Sequence, residues 1–393
     1  MQSQTHTKNS NALRVRKFFA WVRRHKVLSA FLLLLLVAAL FTCHVRSNMG
    51  RAPDAADLAR FQASPNYFDG HFRNKYPATP TVAAPDAPPE SLKGFGFKRF
   101  IKFLCGKDGI PATTPPVARL TRNDFPEKPS PSDFRVIWLG HATLLIELGG
   151  TRILCDPIFG DASPVPGLVR RFSPPPLPRA KLPAIDIVLI THDHYDHLEA
   201  ATARYFKKRA THFIAPLGVG ARLRGWGIPA KNITELDWFE TTSANGLTIT
   251  AVPTQHHAGR TFKDRRTTLW CAFVVTGAGR NLFLGGDSGY DAGYVKLGEQ
   301  FGPFDMAALG IGSYNARWAA NHFTPEEAVR VAQELRAATL LPIHWAAYSL
   351  APHPWDEPIH RAVDAAQKEG VPLLTPMMGQ PILPGVTETP RWW

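Results

Sequence analysis

Residues 185–199 read IDIVLITHDHYDHLE, and this stretch decides the reading of the chain. Its first half is a short apolar run of the kind that forms a strand buried on both faces. Its second half places His192, His194, Asp196 and His197 within six positions immediately after that strand. Imidazoles at i and i+2 in an extended turn can grip one metal ion, and the adjacent Asp-His pair can turn to hold a second. A solvated polar turn is the ordinary alternative. It gives no reason for three histidines and a carboxylate together beside a buried strand, where each needs a partner.

A two-metal site needs further ligands, and other strand ends offer them. LTITAVPTQHH ends in His256 and His257, NLFLGGDSGY carries Asp287 among glycines, and TLLPIHW ends in His344. A histidine after a strand is usually structural; several strand ends offering ligands in one chain argue for a centre. Nitrogen and oxygen donors without thiolate favour zinc, with manganese or iron as substitutes.

Around these positions short β-rich runs recur from Phe134 onward: RVIWL, TLLIEL, RILCD, HFIAP, LTITAV, WCAFVV, NLFLGG, AALGI and TLLPI. Helical stretches lie between several of them. Thr324-Pro325-Glu326-Glu327 is a capping box with proline in the first turn, leading into AVRVAQELRA. The pattern predicts one α/β domain over residues 133–393. Cys155 and Cys271 fall within strand-like runs and read as small core residues. No C-x-x-C spacing suggests a thiolate zinc site.

The chain has 393 residues and a formal net charge of +13, which taken whole would suggest a nucleic-acid partner. Nine of its 45 Lys and Arg lie within residues 1–51, where there is no acid; the other 36 nearly balance 32 acids. A nucleic-acid partner is therefore not expected. Residues 27–45, VLSAFLLLLLVAALFTCHV, carry no charge and approach the length that spans a bilayer. Seven basic residues precede them. We read 1–26 as a basic cytoplasmic segment and 27–45 as an uncleaved transmembrane anchor, which places the following domain on the outer, periplasmic side of the inner membrane. A cleaved signal is the main alternative, but the apolar run exceeds the usual signal core. Residues 46–132 read as a linker and extension. Within it, Phe95, Phe97, Phe100 and Phe103 alternate with Lys93, Lys98, Arg99 and Lys102, a pattern suited to a lipid headgroup layer.

The chain resembles the metallo-β-lactamase superfamily, and within it N-acylphosphatidylethanolamine-hydrolysing phospholipase D and its bacterial relatives. The motifs that carry the resemblance span Asp133 to Pro358. They include WLGHATLLIEL, ILCDPIFGDASP, ELDWFE, PTQHH, GDSGY, HFTPEEAV and PIHWAAYSL, with PNYFDGHFRN (65–74) similar to a leader in bacterial members. The resemblance implies an αββα sandwich, two mixed sheets flanked by helices, with a dinuclear zinc site at one edge. It assigns His192, His194 and His256 to one metal, Asp196, His197 and His344 to the other, and Asp287 to both. It implies that Tyr195 and His322 contact substrate, and that His141 and Asp156 have supporting roles. Two departures stand out: Asp193 where asparagine is expected, and His257 where a large aromatic is.

The implied activity is hydrolysis of a membrane phospholipid to phosphatidic acid and an N-acylethanolamine, with Asp287 and His322 in the catalytic machinery. A lactonase or other ester hydrolase could use the same ligands. A tethered metal-binding protein without turnover is the reading from another class. A homodimer is left open.

Overall fold

The computed structural model describes residues 24–80, 109–261 and 263–393. The aromatic-basic segment and nearly all of the basic N-terminus lie outside these residues. Two compact units are present, Met1–Asn48 and Met49–Trp393. In the first, helix α1 (Lys26–Met49) has a mean hydropathy of 2.4 over its most apolar stretch. Its 24 residues rise about 36 Å, long enough and apolar enough to cross a membrane.

The second unit opens with helix α2 (Ala55–Gln62) and the hairpin β1 (Tyr67–Phe68) and β2 (His71–Phe72). Two sheets follow. The first is built from β3 (Phe134–Gly140), β4 (Thr143–Leu148), β5 (Thr151–Cys155), β6 (Ile187–Leu189), β7 (His212–Pro216) and β8 (Ile233–Leu236). The second comprises β9 (Thr241–Ala244), β10 (Leu247–Val252), β11 (Ala272–Gly277), β12 (Arg280–Leu284), β13 (Met306–Gly310) and β14 (Leu340–Ile343). A final strand, β15 (Pro381–Ile382), returns to pair with β3, so the sheet orders are β15-β3-β4-β5-β6-β7-β8 and β14-β13-β12-β11-β10-β9. Both sheets are mixed. β3 to β5 are antiparallel and β5 to β8 parallel, while β10 to β12 are antiparallel and β12 to β14 parallel.

The apolar composition of the strands follows from this layering. β4 is buried at all six positions because one face meets the other sheet and the opposite face meets helices. Leu144, Ile146, Ile249, Phe273 and Leu282 belong to the core between the sheets. Leu145, Leu154, Phe206 and Leu223 belong to a second core, under helices α3 (Ala200–Phe206) and α4 (Val219–Gly225). Helices α5 (Gly293–Phe301), α6 (Pro325–Glu334) and α7 (Glu357–Glu369) complete the outer layer beyond the second sheet. The predicted capping box is present: Thr324 Oγ1 accepts the Glu327 amide, and the Glu327 carboxylate accepts the Thr324 amide.

The reading of residues 46–132 as a linker is revised for Ala55–Thr79. Asp54 and Asp57 form a capping box on α2, and Phe61 and Phe72 enter the main core with their ring centroids 5.2 Å apart. Asn66 donates to Asp237 at 2.9 Å, and Arg224 pairs with Asp57. These aromatics are too scattered to form an apolar run. Each buries singly against the domain, so they leave no periodic signal in the sequence.

Candidate metal centre

Each predicted ligand follows a strand. His192 to His197 follow β6, His256 follows β10, Asp287 follows β12 and His344 follows β14 directly. The first group comes from one sheet and the other three residues from the other sheet, so the site sits on the edge where the sheets meet. Local backbone is bent to achieve this. His141 (φ 53°), Asp156 (φ 42°) and His344 (φ 65°) all adopt the left-handed region, an unfavourable conformation that clusters at functional sites. Gly286 (φ 57°) lies so close to Thr191 that an added Cβ would stand 2.8 Å from its side chain, which lets the β12 loop reach the β6 loop.

The seven predicted residues converge. His192, His194, His256 and Asp287 form one group in which the donor atoms all lie within 4.8 Å of one another. His141, Asp196, His197 and His344 form a second on the same criterion. Asp287 joins them: its Oδ2 is 3.2 Å from His197 Nε2 and 3.8 Å from His192 Nε2, and its Oδ1 is 3.0 Å from His344 Nε2.

The hydrogen-bond pattern tells which nitrogens face inward as lone pairs. Thr191 gives its hydroxyl proton to Asp156 Oδ2 at 2.6 Å, so its oxygen receives the His192 Nδ1 proton at 3.0 Å. His256 Nδ1 donates to the Asn321 carbonyl at 2.9 Å, and His197 Nδ1 donates to Asp156 Oδ2 at 2.8 Å. The opposite nitrogens of all three rings then turn inward. His192 Nε2 lies 2.9 Å and His256 Nε2 3.3 Å from His194 Nδ1, and His197 Nε2 is buried with no hydrogen-bond partner. Lone pairs and carboxylate oxygens this close repel unless cations lie among them, so the donor set fits two metal ions. Outer hydrogen bonds of this kind fix ring orientation in metal sites.

Protonation without metal supports the same view. Burial holds His192 and His256 well below the usual histidine value. Burial also opposes charge on His344, but Asp287 and Asp196 outweigh it and lift His344 to about 9. His197 is likewise lifted against burial by Asp287, Asp196 and Asp156. Protons on these two rings stand in for missing positive charge.

The chain matches a model of the β-lactamase superfamily domain over residues 151–345. It is 38% identical over 349 residues to an uncharacterized protein of Mycobacterium tuberculosis, covering 86% of this chain and 90% of that one. The chain belongs to the metallo-β-lactamase superfamily. Within the superfamily it is also 37% identical over 256 residues to an N-acyl-phosphatidylethanolamine-hydrolyzing phospholipase D of Caenorhabditis elegans, covering 61% of this chain and 70% of the relative. A solved metallo hydrolase from Ignicoccus hospitalis shares the fold at a TM-score of 0.50 and 19% identity, covering 63% of this chain and 97% of that one. The protein is thus a metal-dependent hydrolase by superfamily, with the αββα sandwich expected from its sequence.

Two substrate-facing candidates differ in situation. His322 stands over the centre, its Nδ1 3.9 Å from Asp287 Oδ2 and its ring 5.3 Å from those of His256 and His344. Tyr195 lies to the side: its hydroxyl donates to the Arg260 carbonyl at 2.8 Å, and the Arg260 guanidinium lies 3.9 Å over its ring. The departure at Asp193 has a structural reason. Its buried carboxylate accepts from the Gly259 amide at 2.6 Å and from Arg222 Nε at 3.0 Å, facing away from the metal donors. Burial opposes that charge, but Arg222 and Arg260 hold Asp193 below the ordinary carboxylate value. Asparagine could not offset Arg222 in this way. His257 packs its ring 5.0 Å from that of His194, on the flank of the centre.

Thr191, Asn321 and Asn74 touch the site and were missed. Asn74 Oδ1 accepts the backbone N–H of His256 at 3.1 Å and the Trp270 indole N–H at 3.1 Å. Only its place at the end of PNYFDGHFRN hinted at a role. His141, by contrast, sits against the second group, its Nε2 2.9 Å from Asp196 Oδ2.

Proposed function

We propose that this hydrolase is a phospholipase D-type phosphodiesterase that releases N-acylethanolamine and phosphatidic acid from N-acylphosphatidylethanolamine. The observation that carries the reading is the joining of two donor groups through Asp287, beneath His322, in a chain 37% identical to a phospholipase of that specificity. His192, His194, His256 and Asp287 would hold one zinc ion, and Asp196, His197, His344 and Asp287 the other. Bound there, the pair would supply Lewis acidity towards phosphate and a nucleophilic water at neutral pH.

The chain's own groups do the rest. Asp287 sets the spacing of the two groups and balances their charge. Asp156 and Asn321 accept the outer protons of His197 and His256 and so turn the other nitrogen of each ring inward. Burial lowers His322 to about 4, so at neutral pH it is an uncharged imidazole. In that state it orients a phosphate or leaving-group oxygen by donating a hydrogen bond. The half-buried Tyr195 would line the substrate path with its ring, since its hydroxyl is already engaged. Helix α1 would anchor the enzyme in the membrane that holds its substrate, with the catalytic unit on the periplasmic side.

The test is turnover of N-acylphosphatidylethanolamine in detergent micelles, beside a soluble lactone and a small phosphodiester. N-acylethanolamine release that a chelator stops and zinc restores is the expected result. Hydrolysis of the lactone alone would move the protein to the ester-hydrolase reading. Two bound metal ions with no turnover of any substrate would favour the non-catalytic one.

A further inference from the structure

The loop that begins with His256 and His257 turns back through Arg265 and Arg266 towards the β1–β2 hairpin. Arg266 (φ 62°) donates its amide to the Ala258 carbonyl at 2.7 Å and accepts the Phe72 amide at 2.8 Å, joining loop to hairpin. Between them lies an open cavity of about 450 Å³, lined by Phe68, Asp69, His71 and Arg73 of the hairpin and by Arg265 and Arg266 of the loop. It is of a size that takes small ligands.

The charges in this cavity do not balance. Asp69 is its one carboxylate, and it pairs with Arg73 at 2.8 Å. That leaves the adjacent guanidinium groups of Arg265 and Arg266. Burial, and then Arg265, lower the Arg266 guanidinium, and its Nε is buried without a hydrogen-bond partner. Two buried arginines elsewhere in the unit meet carboxylates, Arg152 with Glu147 at 2.6 Å and Arg222 with both Asp193 and Asp264, and a third, Arg260, bonds the carbonyls of Asp193 and Leu198. Two neighbouring cations at a cavity wall with a missing donor partner call for an anion with several acceptor oxygens. Phe68, 50% exposed, adds an apolar edge beside the cationic floor.

We propose that this cavity binds a phosphate-bearing anion, supplied by the headgroup of an anionic phospholipid or by free phosphate. The apolar edge at Phe68 suits the headgroup, whose glycerol and first methylenes lie next to its phosphate. The site belongs to the loop that carries His256, so its occupant would brace that loop. The proposal stands on the cavity and its charges, and does not depend on the phospholipase reading.

The test is a binding titration of the full-length, metal-loaded protein in uncharged detergent micelles. The probes are dioctanoyl phosphatidic acid, dioctanoyl phosphatidylcholine and inorganic phosphate. Each is also run on Asp287→Asn, which separates this cavity from the metal centre. Saturable phosphatidic acid binding is expected in both proteins, weakening about 10-fold or more in Arg265→Gln/Arg266→Gln and with added salt. Binding by inorganic phosphate with the same dependence on the arginines would identify the free ion as the source. Arg265→Gln alone, on an exposed side chain, covers the case in which the double variant does not fold; a several-fold loss is expected. The proposal is overturned if anion binding survives the arginine substitutions, vanishes in Asp287→Asn, or is matched by phosphatidylcholine.

Discussion

Asp156 accepts from three groups: the Thr191 amide at 2.8 Å, the Thr191 hydroxyl at 2.6 Å and His197 Nδ1 at 2.8 Å. Through them it orients His197 directly and His192 by way of Thr191. Asp156→Asn keeps the shape but puts an N–H where a proton must be accepted. Loss of such an outer partner lowers metal affinity or activity by about 10–100-fold. Competition against a chelator should read that drop directly. Asn74 acts by another route. Its replacement by alanine leaves the amide of His256 short of an acceptor, while the Trp270 indole keeps the Thr254 carbonyl at 2.9 Å; the cost is about 1–3 kcal/mol for a buried group left unpaired. Urea unfolding and zinc competition should both weaken; an unchanged zinc affinity would show that Asn74 only packs. The convergence of the seven predicted residues was readable in sequence because histidine and aspartate are costly at buried strand ends unless something partners them. Asn74 was not, because a single amide accepting two hydrogen bonds leaves no pattern.

At the scale of elements, the strands that could be read in advance are those buried on both faces. The ten apolar runs became β3 to β7 and β10 to β14. β8 and β9 were missed because they are half-buried or alternately exposed, with ITEL and TTSA carrying little apolar signal. β9 is an edge strand that pairs only with β10. Helix α2 and its hairpin were missed for the reason that makes them matter: their apolar residues serve the domain core and not one another. Phe72→Ala should therefore cost the catalytic unit about 3–5 kcal/mol, as for other buried phenylalanines. A urea midpoint equal to wild type would mean the hairpin is an appendage. Since Phe72 also donates its amide to Arg266, repacking there should disturb the loop that follows His256.

Across the whole catalytic unit, the two donor groups tie one sheet to the other, since four predicted ligands follow β6 and three follow strands of the second sheet. Metal should then stabilise the sandwich itself. At a thousand-fold excess over Kd the gain is about 4 kcal/mol, visible as a fall in Tm on chelation. The pH dependence has a definite sign. His344, lifted to about 9, favours the folded metal-free protein below the ordinary histidine value near 6.5, and that contribution disappears as pH rises through 9. Metal must displace the same proton, so its affinity rises over that range. The Tm difference between metal-loaded and chelated protein should widen from pH 7 to pH 9. A constant difference would mean that His344 loses no proton on metal uptake.

The contact between Asn74 and His256 also dictates an order of events during synthesis. The two residues are 182 positions apart. At roughly 5–20 residues per second, a ribosome needs roughly 9–36 s to make the second after the first. Over that interval Asn74 has no His256 amide to accept, and the Phe72 amide has no Arg266 carbonyl to meet. The centre cannot close until His344 has been made, so metal loading follows the translation of nearly the entire domain.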